Sequence, residues 1–131
     1  MTTLPEVVSA EVPATPDFVQ VLRNVAAGVA ARADMPIDQI EEIRLAVTEA
    51  ASLLLTEALG TTLRMSIRRD ADVVDVELSS DGTTGSWRTD RIESSWAWIV
   101  VSGLTDEVAL DREGAHPPSI AFVKRRDLDM T

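Results

Sequence analysis

One carboxylate in this chain stands out by its neighbours. Leu45, Glu49 and Leu53 follow one another at i, i+4 and i+8, so Glu49 sits between two leucines on one helical face. Ile40, Ile43, Val47, Ala50, Leu54 and Ala58 of the same stretch form the main apolar stripe on the other side. A helix that is apolar on two sides is covered on two sides, so something packs over Glu49 and function is sought there. Little other chemistry is visible. The chain has no cysteine, hence no thiolate and no disulfide framework. It has no P-loop, no paired Cys or His set and no nucleophile elbow. His116, beside Pro117 and Pro118, has no partner at ligand spacing, so neither a metal nor general-base work is expected of it. Asp81-Gly82, with Gly85 following, reads first as an ordinary turn.

The element that must position Glu49 is the stretch from Asp38 to Leu59. Asp38 reads as its N-cap with Glu41 three residues on, and Gly60 as the left-handed residue past its end. Before it, Val7 to Val12 reads as a strand. Thr15 and Pro16 then open a helix with a Phe18, Leu22, Val25, Val29 stripe, running to about Ala33. After it, Leu63, Met65 and Ile67 alternate with polar residues, as do Val74, Val76 and Leu78, and Asp70-Ala71-Asp72 makes the two strands a hairpin. Ser79 to Glu93 is the longest expected loop. Ser94 or Ser95 caps a short helix from Trp96 to Ser102, ended by Gly103. Strands around Val108–Leu110 and Ile120–Phe122 follow, with a turn at Glu113-Gly114, and the charged tail from Lys124 is expected to fray. The order β-α-α-β-β-loop-α-β-β implies an α+β fold, a two-layer α/β sandwich whose mostly antiparallel sheet is covered on one face by helices.

Length and charge narrow the class. The 131 residues suit one domain, with a core of about residues 5–125 and a charged tail at 126–131. At 45% hydrophobic residues the chain is globular in composition. A formal net charge of −10 repels phosphate backbones, which argues against direct nucleic-acid binding and suits a basic protein partner. No apolar run approaches the roughly 20 residues of a bilayer span, and the first residues lack a signal-peptide pattern. A cytoplasmic protein without membrane contact is the expectation.

Three segments carry a resemblance: IRLAVTEAASLLL from Ile43, SSDGTTG from Ser79, and SSWAWIVVSGLTDEVAL from Ser94. Together they resemble the anti-sigma factor and serine-protein kinase family of the histidine-kinase-like (GHKL) ATPases, and in particular members with degenerate nucleotide motifs. The resemblance spans about Pro5 to Arg125 and implies the sandwich fold of that superfamily, the Bergerat type. It also implies an antagonist of an RNA polymerase sigma factor, usually a homodimer, released by an anti-anti-sigma protein of the STAS type in a partner-switching stress response.

The resemblance also implies site positions. In the family the central helix carries a Glu that acts on the attacking water or hydroxyl, and four residues later an Asn that binds magnesium. Here Glu49 matches the first and Leu53 replaces the second, and a leucine offers no oxygen to a hard cation. The family's Asp-x-Gly-x-Gly, whose Asp reads adenine, is matched by Asp81, Gly82 and Gly85 with altered spacing. Its Gly-x-Gly, where bare backbone meets phosphate, falls on Ser95, Trp96 and Ala97, so side chains stand where backbone alone is needed. Arg88 and Arg91 are the basic residues of the intervening lid, and read as solvated loop charges.

The expectation is therefore an anti-sigma factor with ATP and Mg²⁺ binding weak or lost, and no metal or cofactor required. The alternative is an active serine/threonine kinase that uses Mg-ATP on its anti-anti-sigma partner. Leu45, Glu49 and Leu53, or strands that pair between subunits, are the expected partner surface. Of the tryptophans, Trp98 is assigned to the core and Trp96 to filling the emptied nucleotide space. Trp87 is weighed between core and binding anchor.

Overall fold

The computed structural model describes residues 5–82, 87–110 and 118–127. The turn at Glu113-Gly114, His116 and Gly85 lie outside them. In chain order the elements are β1 (Glu6–Pro13), a 3₁₀ turn (Pro16–Phe18), α1 (Val19–Arg32), α2 (Ile37–Glu57), β2 (Thr62–Asp70) and β3 (Val73–Ser80). Then come α3 (Thr89–Glu93), α4 (Trp96–Leu104), β4 (Glu107–Leu110) and β5 (Ser119–Arg125).

Period-2 patterning builds the sheet. Leu63, Met65 and Ile67 of β2 and Val74, Val76 and Leu78 of β3 are all buried on one face, while Arg64, Arg68, Asp75 and Glu77 point to the other. Ala71, with a left-handed φ of 55°, and Asp72 turn the hairpin between the paired Asp70 and Val73. The five strands are antiparallel throughout, in the order β1-β2-β3-β5-β4. One face is covered by α1, α2 and α4, so the chain has the two-layer α+β architecture its pattern implies.

The helices differ in detail from the pattern. The buried face of α1 is Val19, Leu22, Ala26 and Ala30, one residue on from the expected start, and Phe18 is left 40% exposed in the 3₁₀ turn. Pro16 there tightens the entry and rotates the stripe. α2 begins after Pro36, whose extended ψ of 153° starts the helix; Asp38 lies inside its first turn and makes no capping hydrogen bond. At that position the carboxylate complements the helix dipole instead. The left-handed residue after α2 is Leu59, with φ 54°, rather than Gly60.

The segment expected as one long loop contains α3, because Trp87 and Ile92 are fully buried and draw the chain back onto the core. α4 continues through Gly103 to Leu104. The start of the tail is pinned rather than frayed. Gln39, buried, donates to the Arg125 carbonyl at 2.8 Å and accepts the Asp127 N–H at 2.8 Å. The Arg126 N–H meets the Asp72 carbonyl at 2.7 Å. Among the described residues no helix is long and apolar enough to cross a membrane.

Candidate functional site

Two anchors fix the direction of α4 against α2. Lys124 of β5 is buried, and its ammonium donates to Glu42 of α2 at 2.9 Å and to the Leu104 carbonyl at 2.6 Å. The C-terminal end of α4 is thereby tied near the start of α2. α4 is nine residues long and packs along α2, so it runs antiparallel to it. At ~1.5 Å per residue its first turn lies ~12 Å away, at the level of Glu49 and Leu53. The Arg91–Glu57 pair at 3.4 Å, just ahead of α4 and at the far end of α2, agrees with that direction.

At that level α2 presents Leu53, 5% exposed, and Glu49, half-buried. Among the described residues the Glu49 side chain has neither a hydrogen bond nor an ion pair. Leu45, one turn before, is 45% exposed. Facing them, Ser95 caps α4: its hydroxyl accepts the Trp98 N–H at 3.2 Å and donates to the Ile92 carbonyl at 2.6 Å, joining α3 to α4. Ala97 and Trp98 pack against the core. Trp96 does the opposite of filling a space: it is 75% exposed, with Ile99 beside it at 53%. Helical spacing explains this, since Ala97 and Val101 occupy the inward face and Trp96 and Ile99 fall on the outer one. The fully buried indole is that of Trp87, in the loop ahead of α3.

The remaining positions lie at the C-terminal end of α2. Asp81 hydrogen-bonds to the chain's own backbone. One carboxylate oxygen accepts the Thr61 N–H at 2.7 Å and the Thr62 N–H at 2.9 Å, and the other accepts the Thr61 hydroxyl at 2.7 Å. These bonds, the Thr62 N–H foremost, hold its pKa below the ordinary carboxylate value. Gly82 packs directly on the end of α2: a Cβ there would collide with the Ala58 carbonyl oxygen. Gly60 is equally confined, since a Cβ would collide with Ser80 and Asp81 side-chain oxygens and sit 2.6 Å from the Gly82 nitrogen.

A match to the Histidine kinase-like ATPase domain covers residues 12–117, and the chain belongs to that family. Within it the chain is similar to "Serine-protein kinase RsbW" of Halalkalibacterium halodurans, 32% identical over 80 residues, 60% of this chain and 49% of the relative. It is also similar to "Anti-sigma-F factor RsbW" of Mycobacterium tuberculosis, 30% identical over 97 residues, 73% of this chain and 56% of the relative. The chain spans about half the length of the curated relatives it matches.

The family's name raises the question of a bound nucleotide and its metal. The residues present do not fit a magnesium-bridged nucleotide. At the position where the resemblance would put the metal ligand, Leu53 offers hydrocarbon, and a hard cation needs oxygen. Of the N–H groups in the first turn of α4, that of Trp98 is taken by the Ser95 hydroxyl. Asp81 is committed to Thr61 and Thr62. Among the described residues no group of three or more His, Asp or Glu is arranged to hold a metal.

Proposed function

We propose that this protein is an anti-sigma factor of the RsbW type that acts in the cytoplasm by gripping an RNA polymerase sigma factor, with nucleotide binding weak or lost. An anti-anti-sigma protein would release it by competing for the same molecule. The observation that carries this reading lies on one face of α2: a buried Leu53, which offers no oxygen, one turn from a Glu49 side chain that has no partner among the described residues. The relatives named as an anti-sigma factor support the role, and the net charge of −10 suits a basic partner surface. The face around Leu45, Glu49 and Leu53 is the proposed contact, and a homodimer formed through the sheet is the proposed assembly.

Titration calorimetry with Mg-ATP tests the nucleotide half. No heat at micromolar protein is expected; a micromolar dissociation constant overturns it. Co-purification of the native chain with its sigma factor tests the other half, and a native preparation free of any sigma factor overturns it.

A second reading has its own support. Glu49 keeps the position of the family's catalytic carboxylate, and one relative is named a serine-protein kinase. On that reading the chain phosphorylates its anti-anti-sigma partner. Labelled ATP and that partner decide between the two: phosphate transfer abolished by Glu49→Gln favours the enzyme, and none favours the binding module.

A further inference from the structure

Among the described residues no element covers the outer face of α4, and the composition of that face says what would cover it. Trp96 is 75% exposed and Ile99 53% exposed. A solvent-facing tryptophan on a regular helix leaves a large apolar surface wet, which is uncommon without a use. Leu45, 45% exposed, and Glu49, whose side chain has no partner among the described residues, lie at the neighbouring level of α2. Glu93, exposed at the end of α3 three residues before Trp96, also lacks an ion pair among the described residues. The nearby arginines do not neutralise these two acids. Arg88 is paired with Asp90 at 3.4 Å and Arg91 with Glu57 at 3.4 Å. The exposed indole and two aliphatic side chains are thus accompanied by two carboxylates, Glu49 and Glu93, that have no ion pair among the described residues.

We infer that this face is the docking site for a basic amphipathic helix of a partner protein, with Trp96 as the anchor. Apolar residues of the incoming helix would cover Ile99 and Leu45. Its arginines or lysines would meet Glu49 and Glu93 and stack on the indole face. A second copy of the chain is disfavoured as occupant, because a two-fold contact would bring like carboxylates together on bodies that each carry −10. An anionic lipid surface is disfavoured for the same reason. This surface deepens the binding-module reading and rests on it only in taking a protein as the ligand.

The test uses the full chain and two kinds of probe. The first is a synthetic amphipathic peptide of about 18 residues with leucine on one face and arginine on the other. A glutamate version and a shuffled sequence of the same composition serve as controls. Binding is followed by the indole N–H signals in NMR, where the Trp96 signal is expected to move and saturate with the arginine peptide alone. Trp96→Ala is expected to weaken binding about tenfold or more, as an interface anchor does. Glu49→Gln with Glu93→Gln is expected to weaken binding and flatten its salt dependence. Trp96 is exposed, so these variants are expected to keep the wild-type circular dichroism. Equal binding of the shuffled peptide, or an unmoved Trp96 signal, overturns the inference.

The second probe is the purified sigma factor. Sigma binding that Trp96→Ala leaves unchanged overturns this surface while the anti-sigma reading stands. Peptide binding through Trp96 with no sigma binding supports the surface while that reading falls.

Discussion

The Asp81 carboxylate grips Thr61 from both sides, taking its N–H on one oxygen and its hydroxyl on the other, each at 2.7 Å. The grip joins the segment after β3 to the start of β2, and the Asp81 N–H returns to the Thr62 carbonyl at 3.2 Å. An aspartate so bound favours its charged form, so its folded pKa is depressed below the unfolded value. The stability it confers is present above the unfolded pKa and is lost as pH falls through the folded one. Glu6, held low by Arg32 and Arg69, and Asp90, held low by Arg88, act in the same direction. Stability measured by denaturant titration is therefore expected to fall as pH drops below about 4. Asp81→Asn should make that limb shallower, with up to about one proton fewer taken up on acid unfolding. An unchanged acid limb in the variant would show that the grip does not contribute.

The end of α2 separates two uses of small residues that the sequence runs together. Leu59 carries the left-handed conformation and is 71% exposed, so it suffers the Cβ strain without much compensating burial. Leu59→Gly is expected to stabilise the protein by about 0.5–1 kcal/mol, relief of strain exceeding the added freedom of the unfolded chain. For a chain of this size that is a rise of roughly 2–5 °C in Tm, read by calorimetry. Gly82 does the reverse job. Gly82→Ala must push the segment after β3 off the Ala58 carbonyl, at a cost of about 1–3 kcal/mol. If both substitutions moved Tm in the same direction, this division of roles would be wrong.

The sheet was legible because the β2 and β3 residues alternate strictly, so burial could be assigned side chain by side chain. A cap at Ser94 or Ser95 was legible too, since a hydroxyl before an apolar run has an obvious acceptor task, and the structure gives that task to Ser95. Three features resisted reading for physical reasons. Trp96 and Trp98 are two residues apart, so one helix cannot bury both, but which is buried depends on the phase of α4 against α2. Leu59 takes the left-handed turn although Gly60 stands next to it, because Gly60 is held by its contacts with Ser80 and Asp81. Trp87 and Ile92 are buried from within a polar segment, and a tertiary contact of that kind leaves no period to read.

Lys124 is expected to matter more than a surface cation. Its side chain is 9% exposed and its two acceptors belong to α2 and α4, so its loss frees the C-terminal end of α4 as well as Glu42. Glu42 is 36% exposed, and water can take up part of its charge, so the full cost of a broken buried pair does not apply. Lys124→Ala is expected to cost about 1–3 kcal/mol. The diagnostic is hydrogen exchange: amides of α4 should lose more protection than those of β2. Equal loss in both elements would assign Lys124 to the sheet core rather than to the docking of α4.

Leu53 offers the most direct test of the proposal that the cleft does not take a metal-bridged nucleotide. Leu53→Asn places an amide where the resemblance puts the magnesium ligand, in a site that is 5% exposed. Burial of an amide without partners costs about 1–3 kcal/mol, so a lower Tm is expected in the absence of nucleotide. One oxygen is not a site, however. Ser95 still takes the Trp98 N–H, Ala97 still carries a Cβ toward the core, and Asp81 still belongs to Thr61 and Thr62. The variant is therefore expected to show no magnesium-dependent rise in Tm with ATP. Adding Ser95→Gly frees the Trp98 N–H and Ala97→Gly removes a Cβ, and a magnesium-dependent rise is expected in that triple variant. A rise already present in Leu53→Asn alone would show that this leucine is the whole barrier and that the α4 side chains leave room for phosphate.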